Sequence, residues 1–302
     1  MRAAFLALLL CLSPAAFAQA TPEALSRAQA DFTAGRFDDA LRVIEPTARA
    51  GDPTAQMLLG TAYDNGQGKA ESPRLAQDWY SRAAEQGNGP AQLALALLAL
   101  DGRDGAPRDP DTARRWLTQA MGQGLPRAFV ARGQMMLDGQ DEPPNPAAAA
   151  ALLLTGLELG APEAGLMLAG LYAEGRGVTR DQSRARGILA RAAKMGHAPA
   201  MAQLAVMHEL GQGGPADPMA AYALYQEAVN LGDASAAVNL ALFMQQTEGY
   251  WTDPPLAHAY CLWGISNAPQ DVAPQYAEQC ETLADELTQE QRDEGARLAA
   301  TF

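Results

Sequence analysis

The sequence predicts an all-α chain, a solenoid of about seven helical hairpins with a C-terminal helical cap. Three observations predict it. One alanine recurs at Ala40, Ala76, Ala113, Ala149, Ala185, Ala221 and Ala257, in steps of 36 or 37 residues. A second alanine opens each unit at Ala55, Ala91, Ala128, Ala164, Ala200 and Ala236, and a glycine closes each at Gly51, Gly87, Gly124, Gly160, Gly196 and Gly232. Registers that agree over most of a chain mark repeated supersecondary units. One hairpin cannot bury its apolar stripe alone, so neighbouring units stack.

Taken in order, the first element is a leader. Met1 and Arg2 precede an apolar run from Ala3 to Leu12, followed by Pro14 and the small-residue pattern Ala16-Phe17-Ala18. This predicts a secretory signal peptide over residues 1–20, cut before Gln19 or after Ala20. The run is about half of what a bilayer span needs. Cys11 raises a second reading, lipid attachment, but Leu10 stands where that processing site takes a small residue and Cys11 lies inside the apolar run. The mature chain is therefore expected to be periplasmic or secreted, with no transmembrane segment. Repeats are expected over 21–268 and the cap over 269–302.

Within each unit two helical stripes alternate with turns. In the unit opened by Ala164, residues Ala164, Met167, Leu168, Leu171 and Tyr172 follow the i, i+3, i+4, i+7, i+8 spacing of an amphipathic helix, as do Ala185, Ile188, Leu189, Ala192 and Ala193. Gly175-Arg176-Gly177 lies between them. A nucleotide-binding glycine loop follows a strand and opens a helix, whereas this one follows a helix and recurs as Gly66-Gln67-Gly68 and Gly211-Gln212-Gly213. It is read as a hinge in which glycine supplies a left-handed backbone. The loops at 102–110 and 138–146 keep Gly102, Gly105 and Gly139, while the first unit has the shorter turn Ala34-Gly35-Arg36-Phe37. Alanines at the paired positions are expected to let helix axes approach closely, with Tyr63, Trp79, Tyr80, Trp116, Tyr172 and Tyr225 filling the wider gaps.

Ala55, Leu59, Gly60, Tyr63, Gly66, Gly68, Ala76, Trp79, Tyr80, Ala83, Ala84 and Gly87 in one unit resemble the Sel-one-like repeat family of tetratricopeptide-like helical repeats. Ala164, Leu168, Tyr172, Gly175, Gly177, Val178, Asp181, Ala185, Ala192, Ala193 and Gly196 do so in another. The resemblance covers roughly residues 24–268, with weaker hinges in the third and sixth units. It implies a right-handed α-α solenoid whose first helices line a concave groove for an extended peptide or a partner helix. By register the groove candidates are Thr61, Asp64, Leu97, Leu100, Gln134, Leu137, Gly170, Ala173, Val206, Glu209, Leu242 and Gln245, an apolar trough with acidic ends.

From Asp271 the period breaks and the chain reads as a cap, with Thr288-Gln289-Glu290-Gln291 a capping box opening a final helix to about Ala300. Leader removal leaves Cys261 and Cys280, an even count in a compartment that permits oxidation. A helix ending near Asn267 and another starting near Val272 would place both at similar distances from the turn, facing across an antiparallel pair. A structural disulfide is expected there, with two buried free thiols as the alternative. No Cys-x-x-Cys redox spacing occurs.

The chain holds no catalytic constellation that its residues announce. His197, His208 and His258 fall in different units, and Gln212 stands where a zinc-protease helix beginning at His208-Glu209 needs its second histidine. His208 takes the register of Tyr63 and Tyr172, while His197 in an inter-unit turn and His258 on a second helix read as solvated. Asp64, Asp101, Asp138, Glu174 and Glu209 end successive first helices, but nothing in the sequence makes two of them converge as an acid and base pair requires. Neither a Gly-x-Ser-x-Gly elbow nor a Walker-type loop occurs. Cysteine-rich relatives of the repeat class, associated with binding or cleaving β-lactams, carry a disulfide in each unit, a pattern missing here.

The formal charge of -13 becomes -14 when the leader takes Arg2 with it. Such a surface repels nucleic acid and anionic lipid, so the expected partner is a neutral or basic protein or peptide. No cofactor or metal is expected. The function read from the sequence is an exported, non-catalytic adaptor. A cell-envelope glycan module, recognising peptidoglycan or exopolysaccharide, and a hydrolase are the alternatives. An aromatic content of 6% gives a glycan module few stacking surfaces.

Overall fold

A computed structural model describes residues 20–139, 143–246 and 253–302, and over these the chain is all-α with no named strand. The leader over residues 1–19, with Cys11, and residues 140–142 and 247–252 of two hinges fall outside the described residues. The chain divides into two compact units, the first running to Gln123 and the second from Gly124 to Phe302.

The first unit holds three hairpins: α1 (Pro22–Thr33) with α2 (Phe37–Arg49), α3 (Pro53–Asp64) with α4 (Pro73–Glu85), and α5 (Gly89–Asp101) with α6 (Pro110–Gly122). The second holds four more: α7 (Pro126–Asp138) with α8 (Pro146–Glu158), α9 (Pro162–Glu174) with α10 (Gln182–Lys194), α11 (Ala198–Glu209) with α12 (Pro218–Asn230), and α13 (Ala234–Gln246) with α14 (Pro254–Asn267). It ends in α15 (Ala273–Asp285) and α16 (Gln289–Ala299). Within each unit every helix up to α15 packs on its neighbours in chain order, and α16 packs on α14. This is the α-α solenoid class, with the seven hairpins and the cap that the sequence predicts.

The helix starts are written locally. Ser72, Asp109, Asn145, Asp181, Asp217 and Asp253 cap the second helices, each accepting the backbone N–H three residues on. A side-chain cap of this kind is worth about 1 kcal/mol. Proline follows the cap in α4, α6, α8, α12 and α14, where its missing N–H removes no helical bond. In α10 the following residue is Gln182. Between α9 and α10, Gly175 and Gly177 adopt φ of 78° and 71°, the left-handed backbone the hinge reading requires.

Packing follows the alanine registers. Both series, from Ala55 to Ala236 and from Ala40 to Ala257, are buried throughout, so helix axes meet over a methyl group. Four residues beyond the second-helix alanine stands one large side chain, Ile44, Tyr80, Leu117, Leu153, Leu189 or Tyr225, each buried, and in the last hairpin Cys261. Cys261 is bonded to Cys280 across α14 and α15, with a Cα–Cα distance of 6.0 Å. The expected capping box opens α16: Thr288 accepts the Gln291 N–H while the Gln291 side chain accepts the Thr288 N–H at 2.9 Å. Tyr63, Trp79, Trp116 and Tyr172 are half-buried rather than enclosed. No helix among the described residues is long and apolar enough to cross a membrane.

Candidate binding face

The twelve groove candidates stand six and nine residues beyond the alanine that opens each unit. All are half-buried or exposed, and none is sealed in the core. A stripe one turn away from the buried series is forced to this side because the helical period carries it past the contact with the neighbouring hairpin.

Several of the polar candidates are held by the fold. Tyr80 Oη donates to the hydroxyl of Thr61 or the carboxylate of Asp64, each at 3.2 Å, and Arg103 pairs with Asp64. The same arrangement returns 145 residues on, where Tyr225 Oη donates to Glu209 at 2.8 Å. Burial pushes both phenols above their ordinary value; the Thr61 hydrogen bond opposes the rise at Tyr80, and Glu209 adds to it at Tyr225. Gln134 donates to Asp138 at 2.5 Å and Gln245 to Glu286 at 2.8 Å. The acidic ends of the expected trough are thus engaged by tyrosine and arginine.

The apolar candidates differ from one another. In the first unit Leu97 is 38% exposed and Leu100 half-buried. In the second, Leu137, Val206 and Leu242 pack partly against the core, whereas Gly170 and Ala173 line a cavity between α9, α10 and α11. That cavity also takes in Gln182, Gln203, Met207 and Gln212, which the groove register does not include. The sequence signal for Gln182 is that it stands where α4, α6, α8, α12 and α14 carry proline.

The histidines need correction. His197 is a helix cap, its Nδ1 accepting the Ala200 N–H at 3.2 Å, and His258 is half-buried, its ring held below the ordinary imidazole range by burial and by Arg292. Neither is the solvated side chain expected. His208 Nδ1 lies 2.8 Å from Arg186 Nη2, and burial followed by the Arg186 charge lowers its basicity. It is a neutral acceptor for the guanidinium. No group of three or more metal-binding side chains occurs among the described residues.

Buried alanine seams, glycine hinges and an accessible first-helix stripe define a helical-repeat scaffold. The chain belongs to the Sel1 repeat family, whose model matches residues 53–88, 89–125, 128–160, 162–197 and 198–233. Solenoids of this repeat generally serve protein–protein interaction. A Sel1 repeat protein from Oxalobacter formigenes is similar over 92% of this chain and 99% of its own, at 22% identity and a TM-score of 0.69. A protective antigen of uropathogenic Escherichia coli strains, displaying an SLR fold, is similar over 91% of this chain at 24% identity and a TM-score of 0.64. The match spans 62% of that antigen's length. At these identities the likeness concerns the fold. No curated protein sequence matches the chain.

Proposed function

We propose that the chain is an exported, non-catalytic scaffold that binds a protein or peptide partner along its first-helix face. The observation that carries this reading is the stripe itself: at both groove registers all twelve positions, from Thr61 to Gln245, stay accessible while the alanines beside them are buried. The leader over residues 1–20, the disulfide between Cys261 and Cys280 and the absence of a membrane-spanning helix among the described residues are compatible with a periplasmic or secreted protein. The repeat region over 21–268 forms the binding body and 269–302 closes its end.

The glycan alternative has little support. Sugar rings are held on exposed aromatic faces, and among the described aromatic residues only Phe302 is exposed, stacked on Tyr260 with centroids 5.1 Å apart. The test is affinity capture of the mature protein after crosslinking in the cell. Asp64 and Glu209 are unsuitable sites for charge reversal because Tyr80, Arg103 and Tyr225 depend on them. Leu97→Glu with Leu100→Glu alters the face without breaking such a contact. A protein captured by the wild type and lost from this variant supports the scaffold reading; capture unchanged by substitutions anywhere on the face overturns it.

A further inference from the structure

In a chain with 35 carboxylates and 22 lysines and arginines, two helices of the second unit carry charge of one sign only. α10 holds Arg184, Arg186, Arg191 and Lys194 and no carboxylate, while α15 holds Glu278, Glu281 and Asp285 and no cation. Arg186 is occupied, donating to the Pro215 carbonyl and meeting His208. The other six are exposed, and none forms an ion pair among the described residues. Their neutral contacts are few: the Arg184 guanidinium lies 4.4 Å over the Tyr172 ring, and Arg191 donates to the Leu157 carbonyl at 3.5 Å. Asp285 ends α15 where the helix dipole disfavours negative charge, so the helix itself does not call for it.

Both sets form stripes. Arg184, Gly187, Arg191 and Lys194 follow one another by three, four and three residues, and Glu278, Glu281 and Asp285 by three and four, spacings that keep side chains on one helix face. Gly187 stands where α8 and α12 carry Ala151 and Ala223. A Cβ there would meet nothing within 4 Å, so packing within the chain does not require glycine, the poorest helix former apart from proline. The bare backbone leaves room for another helix to approach. Each stripe also adjoins an apolar element. Met195, 39% exposed, caps α10 beside Lys194. Between α14 and α15 runs an open groove of about 460 Å³, lined by Glu278 and Glu281 together with Leu262, Ile265 and Ala277, and the Cys261–Cys280 disulfide joins its two walls.

We propose that a second copy of this chain docks here: α10 of one copy lies antiparallel on α15 of the other, with Lys194 on Glu278, Arg191 on Glu281 and Met195 in the groove. In this register Met195 falls opposite Ala277, and Asp285 falls opposite the bare backbone of Gly187, within reach of Arg184. A parallel alignment of the stripes would carry Met195 past the end of α15 and leave the groove unfilled. Matched opposite charges bring the copies together despite the chain's net negative charge, because like charges farther apart than about 8 Å are largely screened at physiological salt. Each copy carries both halves of the contact. A two-fold pair makes it twice, whereas a one-way pair leaves a free half at each end and extends. None of these residues belongs to the twelve groove positions, so the pairing stands or falls apart from the scaffold reading.

The test is sedimentation velocity of the mature chain, residues 21–302, over a concentration series at low and high salt. The wild type is expected to self-associate, less so at high salt. Arg191→Glu with Lys194→Glu, and separately Glu278→Lys with Glu281→Lys, should each weaken association at least about tenfold with circular dichroism unchanged. An equimolar mixture of these two variants should associate again, because the reversed α10 of one meets the reversed α15 of the other. Gly187→Leu adds no charge and favours the helix, yet should weaken association by filling the close approach. Association indifferent to the reversals or to Gly187→Leu, or a mixture no more associated than its components, overturns the proposal. So does a wild type that stays monomeric throughout; binding to phosphatidylglycerol vesicles that Arg191→Glu with Lys194→Glu abolishes would then assign the basic stripe to a lipid surface.

Discussion

Gly60→Ala places a methyl group in the face of a buried ring. The new Cβ would lie 2.5 Å from Tyr80 Cδ1 and 2.6 Å from Cε1. The ring is 2% exposed and its hydroxyl is engaged with Thr61 and Asp64, so it has little freedom to move aside. Overpacking of this kind costs about 1 to 3 kcal/mol, against about 1 kcal/mol that alanine gains over glycine in a helix. The net expectation is a loss of about 0 to 2 kcal/mol, the work of moving α4 away from α3 less the gain in helix propensity. Ala205 beside Tyr225 shows that the pair packs once the hairpin is built around it. Adding Tyr80→Leu recreates the Ala96 and Leu117 pair of the next hairpin, so the double variant should be more stable than the sum of the single losses by at least about 1 kcal/mol. Stacked repeats open locally, and the measurement is therefore amide hydrogen exchange of α3 and α4 together with the urea midpoint. A Gly60→Ala protein more stable than wild type, or strictly additive losses, would refute the argument that ring contact sets this spacing.

Four further outcomes are expected. Cys280→Ala should destabilise the α14 to α16 region by about 3 kcal/mol, the constraint lost from a loop with its ends 19 residues apart, read as accelerated proteolysis of the cap. Tyr225→Phe removes a hydrogen bond to a carboxylate and should cost about 1.5 kcal/mol in thermal unfolding. Because the Tyr225 phenol is raised in the folded chain, its contribution is complete below pH of about 10 and is lost as pH rises further, so the variant should flatten the alkaline limb of the stability profile. His208 and His258 are lowered on folding, so the unfolded chain binds their protons first and stability should fall as pH drops below about 6.5; a His258→Gln protein whose stability between pH 7 and 5 follows wild type unchanged would contradict this.

Much of the architecture is local and therefore legible in the chain. Helix starts carry their own caps, hinges their own glycines, and the alanine registers mark the contact seam because a helix returns the same face to its neighbour at a fixed period. Even the cap obeyed this logic: Asn267, Val272 and Thr288 bound the last helices by turn and capping chemistry, and Cys261 met Cys280 because both stand near one turn. The accessibility of the stripe next to the buried one was legible in the same way.

What the register does not carry is which side chains on that stripe are already taken. Asp64 and Glu209 read as free acidic ends until the tertiary structure brings Tyr80 and Tyr225, each 16 residues later, onto them. His197 and His258 read as solvated until a helix end and a packed cap claim them. The cavity beside Gly170 depends on three helices at once, with Gln182 donating to Ala173 while its Oε1 is buried without a donor. The sequence by itself determined a family of stacked hairpins and the face they present, because capping, turns and periodicity act within about one repeat. The tertiary structure decided which polar groups on that face remain unpaired, because pairing there joins residues from different helices and depends on how closely those helices approach.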